Sequence, residues 1–313
     1  MTAPDDRQLI EYYQKHGFAD DGELLSFVDE FFLDSKGLPL HIPRAKGCPD
    51  HTPPAEYLCD AFFDRSPLAI CWANRGGGKT LLGALATWLD MVFKGGCSTT
   101  VLAGSFQQGK RLYEHLSGKG NGWGLVNDVF RYLLRREKNK EGELLAYSAT
   151  LSNFSCIEIL PASSKSVRGT HPQKCKLDEI DEMDPSLYEG SLSTAMSSRG
   201  IQASTHIYST MHKTYGLMQQ VVEEAPVRGY RLYKWCIMDV LERCVGRECG
   251  EVCPLWEDCQ GRAQEADGYY SIESAITKKR QVSEQTWLSE YLCQIPSSEG
   301  LIYKEFDMAL FVI

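Results

Sequence analysis

Residues 71–88, CWANRGGGKTLLGALATW, place three consecutive glycines between two apolar runs of different character. Upstream, PLAICWA (67–73) is short and continuously apolar, the pattern of a strand buried on both faces. Downstream, KTLLGALATWLDMVFKGG (79–96) carries helical spacing and ends on a glycine stop. A strand that turns through glycines into a helix is the opening unit of a parallel α/β sheet. The turn, Ala73-Asn74-Arg75-Gly76-Gly77-Gly78-Lys79-Thr80, matches G-x-x-x-x-G-K-[ST] at every position except the first. Such a loop aims backbone N–H groups at phosphate oxygens over a helix start, with a lysine for the β/γ-phosphates and a hydroxyl for Mg²⁺. Alanine at position 73 is compatible with that role as long as its φ is negative, since only a positive φ demands glycine.

The rhythm continues along the chain. STTVLAGS (98–105) reads as a strand and FQQGKRLYEHL as the helix after it. Further strands are expected at SCIEILPAS (155–163), KCKLDEI (174–180) and STHIYST (204–210). Two short helices are expected within residues 1–35, and one or two more across 271–295. A phosphate loop needs a carboxylate partner for its magnesium and a base to orient water. The best candidates are Asp178 and Glu179, where a strand end would present them beside the ligand. Lys174 and Lys176 interrupt that strand's apolar character.

With these residues in place, the sequence resembles the ATPase half of the large terminase subunit of tailed bacteriophages. Four stretches carry the resemblance in the family's order: NRGGGKT, ILPASSKSVRGTHPQKCKLDEID, IYSTMHKTYGLM and CGEVCPLWEDCQGRA. It spans roughly residues 50–305. The resemblance implies a RecA-like (ASCE) P-loop NTPase with a mainly parallel sheet flanked by helices. It implies an ATP-hydrolysing motor that packages double-stranded viral DNA into a procapsid in the host bacterial cytoplasm. The implied partners are a portal protein, a small terminase subunit and further copies of the chain in a ring. Carried over residue by residue, Lys79 and Thr80 bind phosphate and Mg²⁺, Asp178 holds the metal, and Glu179 activates water. Arg75 contacts or senses phosphate, and Arg168 is an arginine finger acting in cis or in trans. Ser209 and Thr210 couple hydrolysis to movement. Where the family has a glutamine near the adenine, TPPAEYL offers Glu56. The family's nuclease domain would begin near GLIYKEFDMALFVI, and Asp307 alone cannot build its two-metal site, so nuclease activity is not expected of this chain.

The twelve cysteines, with no secretory signal ahead of them, point to metal rather than disulfides. Cys244, Cys249, Cys253 and Cys259 lie close enough in sequence to enclose a structural Zn²⁺, or alternatively an iron–sulfur cluster. Cys236 reads as a strand residue in LYKWCIM. The other seven cysteines, Cys48 among them, and the seven histidines show no ligand spacing. The expected layout is a helical segment at 1–50, an ATPase core at 51–230, a cysteine-rich insert with C-terminal helices at 231–300, and a linker at 301–313. A net charge of −9 excludes a generally basic DNA-binding surface, so KTYG (213–216) and KKR (278–280) read as solvated faces before DNA contacts. No stretch has the length and apolarity of a membrane span. The competing readings are a helicase-type translocase, which lacks chain for a second lobe after Thr210, and a non-catalytic zinc-stabilised module.

Overall fold

The computed structural model describes residues 4–119, 122–135, 144–160 and 171–296. Its centre is a seven-stranded sheet in the order β3-β4-β2-β5-β6-β1-β7. The strands are β1 (Leu68–Ala73), β2 (Ser98–Ala103), β3 (Ser148–Thr150), β4 (Cys156–Ile159), β5 (Lys174–Asp178), β6 (Ser204–Ser209) and β7 (Arg231–Trp235). Every pairing is parallel except β3 with β4 at one edge. Parallel strands need long crossovers, and helices supply them on both faces. These are α4 (Lys79–Phe93), α5 (Phe106–Ser117), α6 (Pro185–Ser191) and α7 (Leu217–Arg228). Three helices precede the sheet: α1 (Pro4–His16), α2 (Asp21–Phe31) and α3 (Pro54–Phe62). A single helical turn at Trp256–Cys259 and then α8 (Ile272–Gln281) follow it, and Glu284–Thr286 runs into a π turn at Trp287–Tyr291.

The strand order carries the functional geometry. β6 lies between β1, which feeds the glycine turn, and β5, which ends on Asp178. The carboxyl ends of β5, β6 and β1 therefore open onto one crevice, where ligands bind in open α/β sheets. The sheet's two faces pack against separate cores. One holds Phe27, Phe31, Leu85, Trp88 and Phe130 from the N-terminal helices, α4 and the segment after α5. The other holds Leu177, Ile207, Met211, Ile237 and Trp287.

Lys174 and Lys176 do not break β5. Both are fully buried within it. Lys174 Nζ reaches Asp64 Oδ1 at 2.5 Å, and Lys176 Nζ lies 3.2 Å from His206 Nδ1 on β6. Burial pushes the Lys176 ammonium down to about 8. Cys236 corrects an expectation: β7 ends at Trp235, and Cys236 caps the short helical turn Ile237–Asp239.

Candidate active site

The loop after β1 is built around glycine. Gly76 and Gly78 have φ of +77° and +72°, the left-handed region in which side chains are strained. Gly77 is required for a different reason: a Cβ there would sit 2.2 Å from Asn74 Oδ1. That amide oxygen is buried and, among the described residues, has no hydrogen-bond partner. Ala73 is buried within β1 and outside the positive-φ set, so alanine meets no backbone obstacle there. The loop is braced from β7, where Trp235 Nε1 donates to Gly77 O at 2.7 Å and Trp235 O accepts from Asn74 N at 3.2 Å. Gly78 caps α4, so Lys79 and Thr80 begin the helix. The free N–H groups and dipole of that first turn favour an anion.

Thr80 and Asp178, far apart in sequence, meet here. Thr80 Oγ1 donates to both Asp178 carboxylate oxygens at 3.3 Å. Asp178 is buried, and desolvation followed by the charge of Glu179 raises its pKa from 3.8 to about 7. Glu179 is held at φ 52° and donates its backbone N–H to Tyr208 O at 2.7 Å. Its carboxylate pairs with Lys79 Nζ at 3.0 Å. A divalent cation between Thr80 and Asp178 would relieve the burial of an ionised carboxylate, so the donor set suits one.

In magnesium-free buffer the burial of Asp178 makes stability depend on pH. Its folded pKa lies above its unfolded value, so its stabilising contribution is complete below pH about 4 and lost as pH rises through about 7. Denaturant titrations between pH 5 and 8 are expected to show stability falling across that window, and Asp178→Asn is expected to remove that share of the slope.

The remaining sequence candidates fall into three groups. Arg75 lies on the loop, two-thirds exposed, with Nη1 3.0 Å from Glu290 Oε2. Ser209, the last residue of β6, is buried beside Trp72 of β1, and Thr210, which follows it, is buried too. Arg168 and Asp307 lie outside the described residues. Glu56 is turned to another task, pairing with Arg231 at 2.5 Å on the protein surface.

Sequence reasoning missed Asp181. Its buried carboxylate accepts from the backbone N–H groups of His212, Lys213 and Met218, each at 3.0 Å. The acidic run DEIDEMD concealed this, because nothing in the sequence marks which of its carboxylates turns inward. Lys213 of KTYG bonds Asp181 O at 2.6 Å and pairs with Glu182 at 3.1 Å. Tyr269 was also missed. It lines the cavity of about 570 Å³ over the loop, together with Gly76–Thr80, Trp123 and residues of the 34–43 loop.

The four insert cysteines, Cys244, Cys249, Cys253 and Cys259, line one small cavity of about 20 Å³. A different set is drawn together more tightly. One donor atom from each of Cys48, His51, Cys236 and Asp239 lies within 4.8 Å of the others. Cys48 and His51, undistinguished by their spacing to the other cysteines and histidines, are thus brought beside Cys236 and Asp239 by the fold.

No protein-family model and no curated protein matches the sequence. Solved structures do match. The HK97 bacteriophage large terminase aligns over 88% of this chain and 55% of its own, with a TM-score of 0.57 and 16% identity. The fold of this chain is similar to that of the aligned half of a large terminase. The large terminase of the thermophilic bacteriophage D6E aligns over 79% of this chain and 52% of its own, with a TM-score of 0.50 and 12% identity. The chain thus spans about half the length of these structures. Among the described residues, no helix is long and apolar enough to cross a membrane.

Proposed function

We propose that the chain binds Mg²⁺–ATP over the Ala73–Thr80 loop and hydrolyses it to drive double-stranded DNA, as the motor of viral DNA packaging. The observation that carries this reading is the meeting of Thr80 and Asp178 at 3.3 Å, beneath a glycine loop and beside Glu179. Gly76–Gly78 and the start of α4 cradle the phosphates, and Lys79 takes the β/γ-phosphate charge. Thr80 and Asp178 hold the Mg²⁺, whose chemistry is to neutralise charge developing on the phosphoryl oxygens. Glu179 is the base that orients water. Its carboxylate pairs with Lys79 at 3.0 Å. A triphosphate that draws Lys79 away frees Glu179 at the moment it is needed.

Arg75 senses phosphate from the loop, and Arg168 supplies a finger charge. Ser209 and Thr210 relay the state of the site, because β6 separates the loop strand from the Asp178 strand. The insert cysteines hold a structural Zn²⁺ or an iron–sulfur cluster. The portal, the small terminase subunit and a ring of copies complete the assembly, in the host cytoplasm.

The test is phosphate release at increasing protein concentration, with and without linear duplex DNA, paired with displacement of a triplex-forming strand. Magnesium-dependent hydrolysis stimulated by duplex, with triplex displacement and no unwinding, is the expected result. Unwinding of the duplex would favour a helicase. Absence of nucleotide binding at all concentrations overturns the reading.

A further inference from the structure

Two three-residue steps, Cys48-x2-His51 and Cys236-x2-Asp239, face each other across the fold. Ligand pairs at this spacing bring two donors to one side of a tight turn, as in structural zinc sites. Here the turns come from segments 188 residues apart. Cys48 Sγ and Cys236 Sγ are 3.7 Å apart. Two thiolates on one tetrahedral zinc, at Zn–S distances of about 2.3 Å, stand about 3.8 Å apart. His51 Nδ1 and Asp239 Oδ2 complete the group at 2.5 Å from each other, bridged by a proton in this geometry. A cation replacing that proton would open the pair to about 3.3 Å, from metal–ligand distances of about 2.0 Å. Cys48, Cys236 and Asp239 are all buried.

The surroundings are organised around these four side chains. Asp239 accepts from Cys48 N and Cys236 N, both at 2.8 Å, and so fixes both turns. Met238 N donates to Cys236 Sγ at 3.3 Å. Gly47 has no room for a side chain: a Cβ would lie 2.9 Å from Asp239 Oδ1 and from Met238 O. Arg262 Nη1 is 2.8 Å from Cys48 Sγ. Two thiolates, a carboxylate, a neutral imidazole and a divalent ion sum to one negative charge, which this guanidinium offsets. A cavity of about 330 Å³ bordered by Cys48, His51 and Cys236 gives an ion a way in.

We propose that Cys48, His51, Cys236 and Asp239 form a structural zinc site, separate from the insert cysteines, that ties the 44–52 loop to the end of β7. Cys236 directly follows Trp235, the residue that braces Gly77 O. The ion thereby steadies the wall of the glycine loop from behind, taking no part in chemistry there. The site does not depend on the ATPase reading.

The test measures zinc in the full chain by elemental analysis, after equilibration with excess zinc and removal of the free ion. Cys48→Ser and Asp239→Asn are each expected to lose one equivalent relative to wild type. Cys249→Ser, in the insert, is expected to leave the chelator-sensitive protection of Cys48 and Cys236 against alkylation as in wild type, whatever zinc the insert itself loses. In the wild-type chain, a chelator is expected to speed alkylation of Cys48 and Cys236 at least tenfold, read by peptide mass spectrometry. This second measurement holds even where a variant fails to fold. Full zinc content in folded Cys48→Ser, alkylation rates indifferent to chelator, or a Cys48–Cys236 disulfide in the non-reduced peptide map would each overturn the proposal.

Discussion

Replacing Glu179 by glutamine is expected to lower the turnover of ATP by about 10²–10⁴-fold, the usual worth of a positioned general base, while nucleotide still binds. The amide keeps the size of the side chain and leaves the backbone N–H bond to Tyr208 O in place. It loses the charge that orients water and the charge that holds Lys79 at 3.0 Å. Lys79 is then free for phosphate, so affinity is expected to hold or rise slightly. The same change removes a neighbouring negative charge that pushes the Asp178 pKa upward, so that carboxylate ionises more readily. Single-turnover phosphate release gives the first quantity, and fluorescence titration with a labelled nucleotide gives the second. Turnover within twofold of wild type would remove Glu179 from the mechanism.

The parts of this site legible in the sequence were those with local signals. An apolar run, three glycines and a helical repeat give β1, the loop and α4 their places without reference to the rest of the chain. Asp178 and Glu179 were legible because a strand end followed by paired acids is also local. β5 was harder to read, since its two lysines are buried on partners, Asp64 and His206, that only the fold brings near. β3 and α6 were not anticipated: three residues of edge strand and seven of helix carry too little period to register. α7 was not anticipated either, and Pro226 within it obscures the helical pattern. The Cys48 cluster was half legible. Each three-residue step stands in the sequence, but a lone pair of donors has no meaning until the other pair lies against it. Sequence density drew attention to the insert cysteines instead.

Asp181 shows what such long-range groups are worth. Asp181→Ala is expected to cost about 3–5 kcal/mol of unfolding free energy, the range for breaking a buried charged hub by removing one side of it. Three backbone N–H groups, of His212, Lys213 and Met218, lose their acceptor at once. Each unsatisfied donor costs about 1–3 kcal/mol where water cannot reach it. Met218 is fully buried, whereas His212 and Lys213 are partly exposed and recover some of that cost from solvent. Asp181→Asn retains one amide oxygen and is expected to fall between the variant and wild type. Activity is expected to drop along with stability, because Asp181 joins the segment after Glu179 to the segment after Thr210. That link ties the loop bearing Glu179 to the segment after β6. Urea titration with an unchanged slope isolates the stability effect. A loss below about 1 kcal/mol, within the range of an ordinary surface change, would show that the three bonds are replaced by water and that the link carries no load.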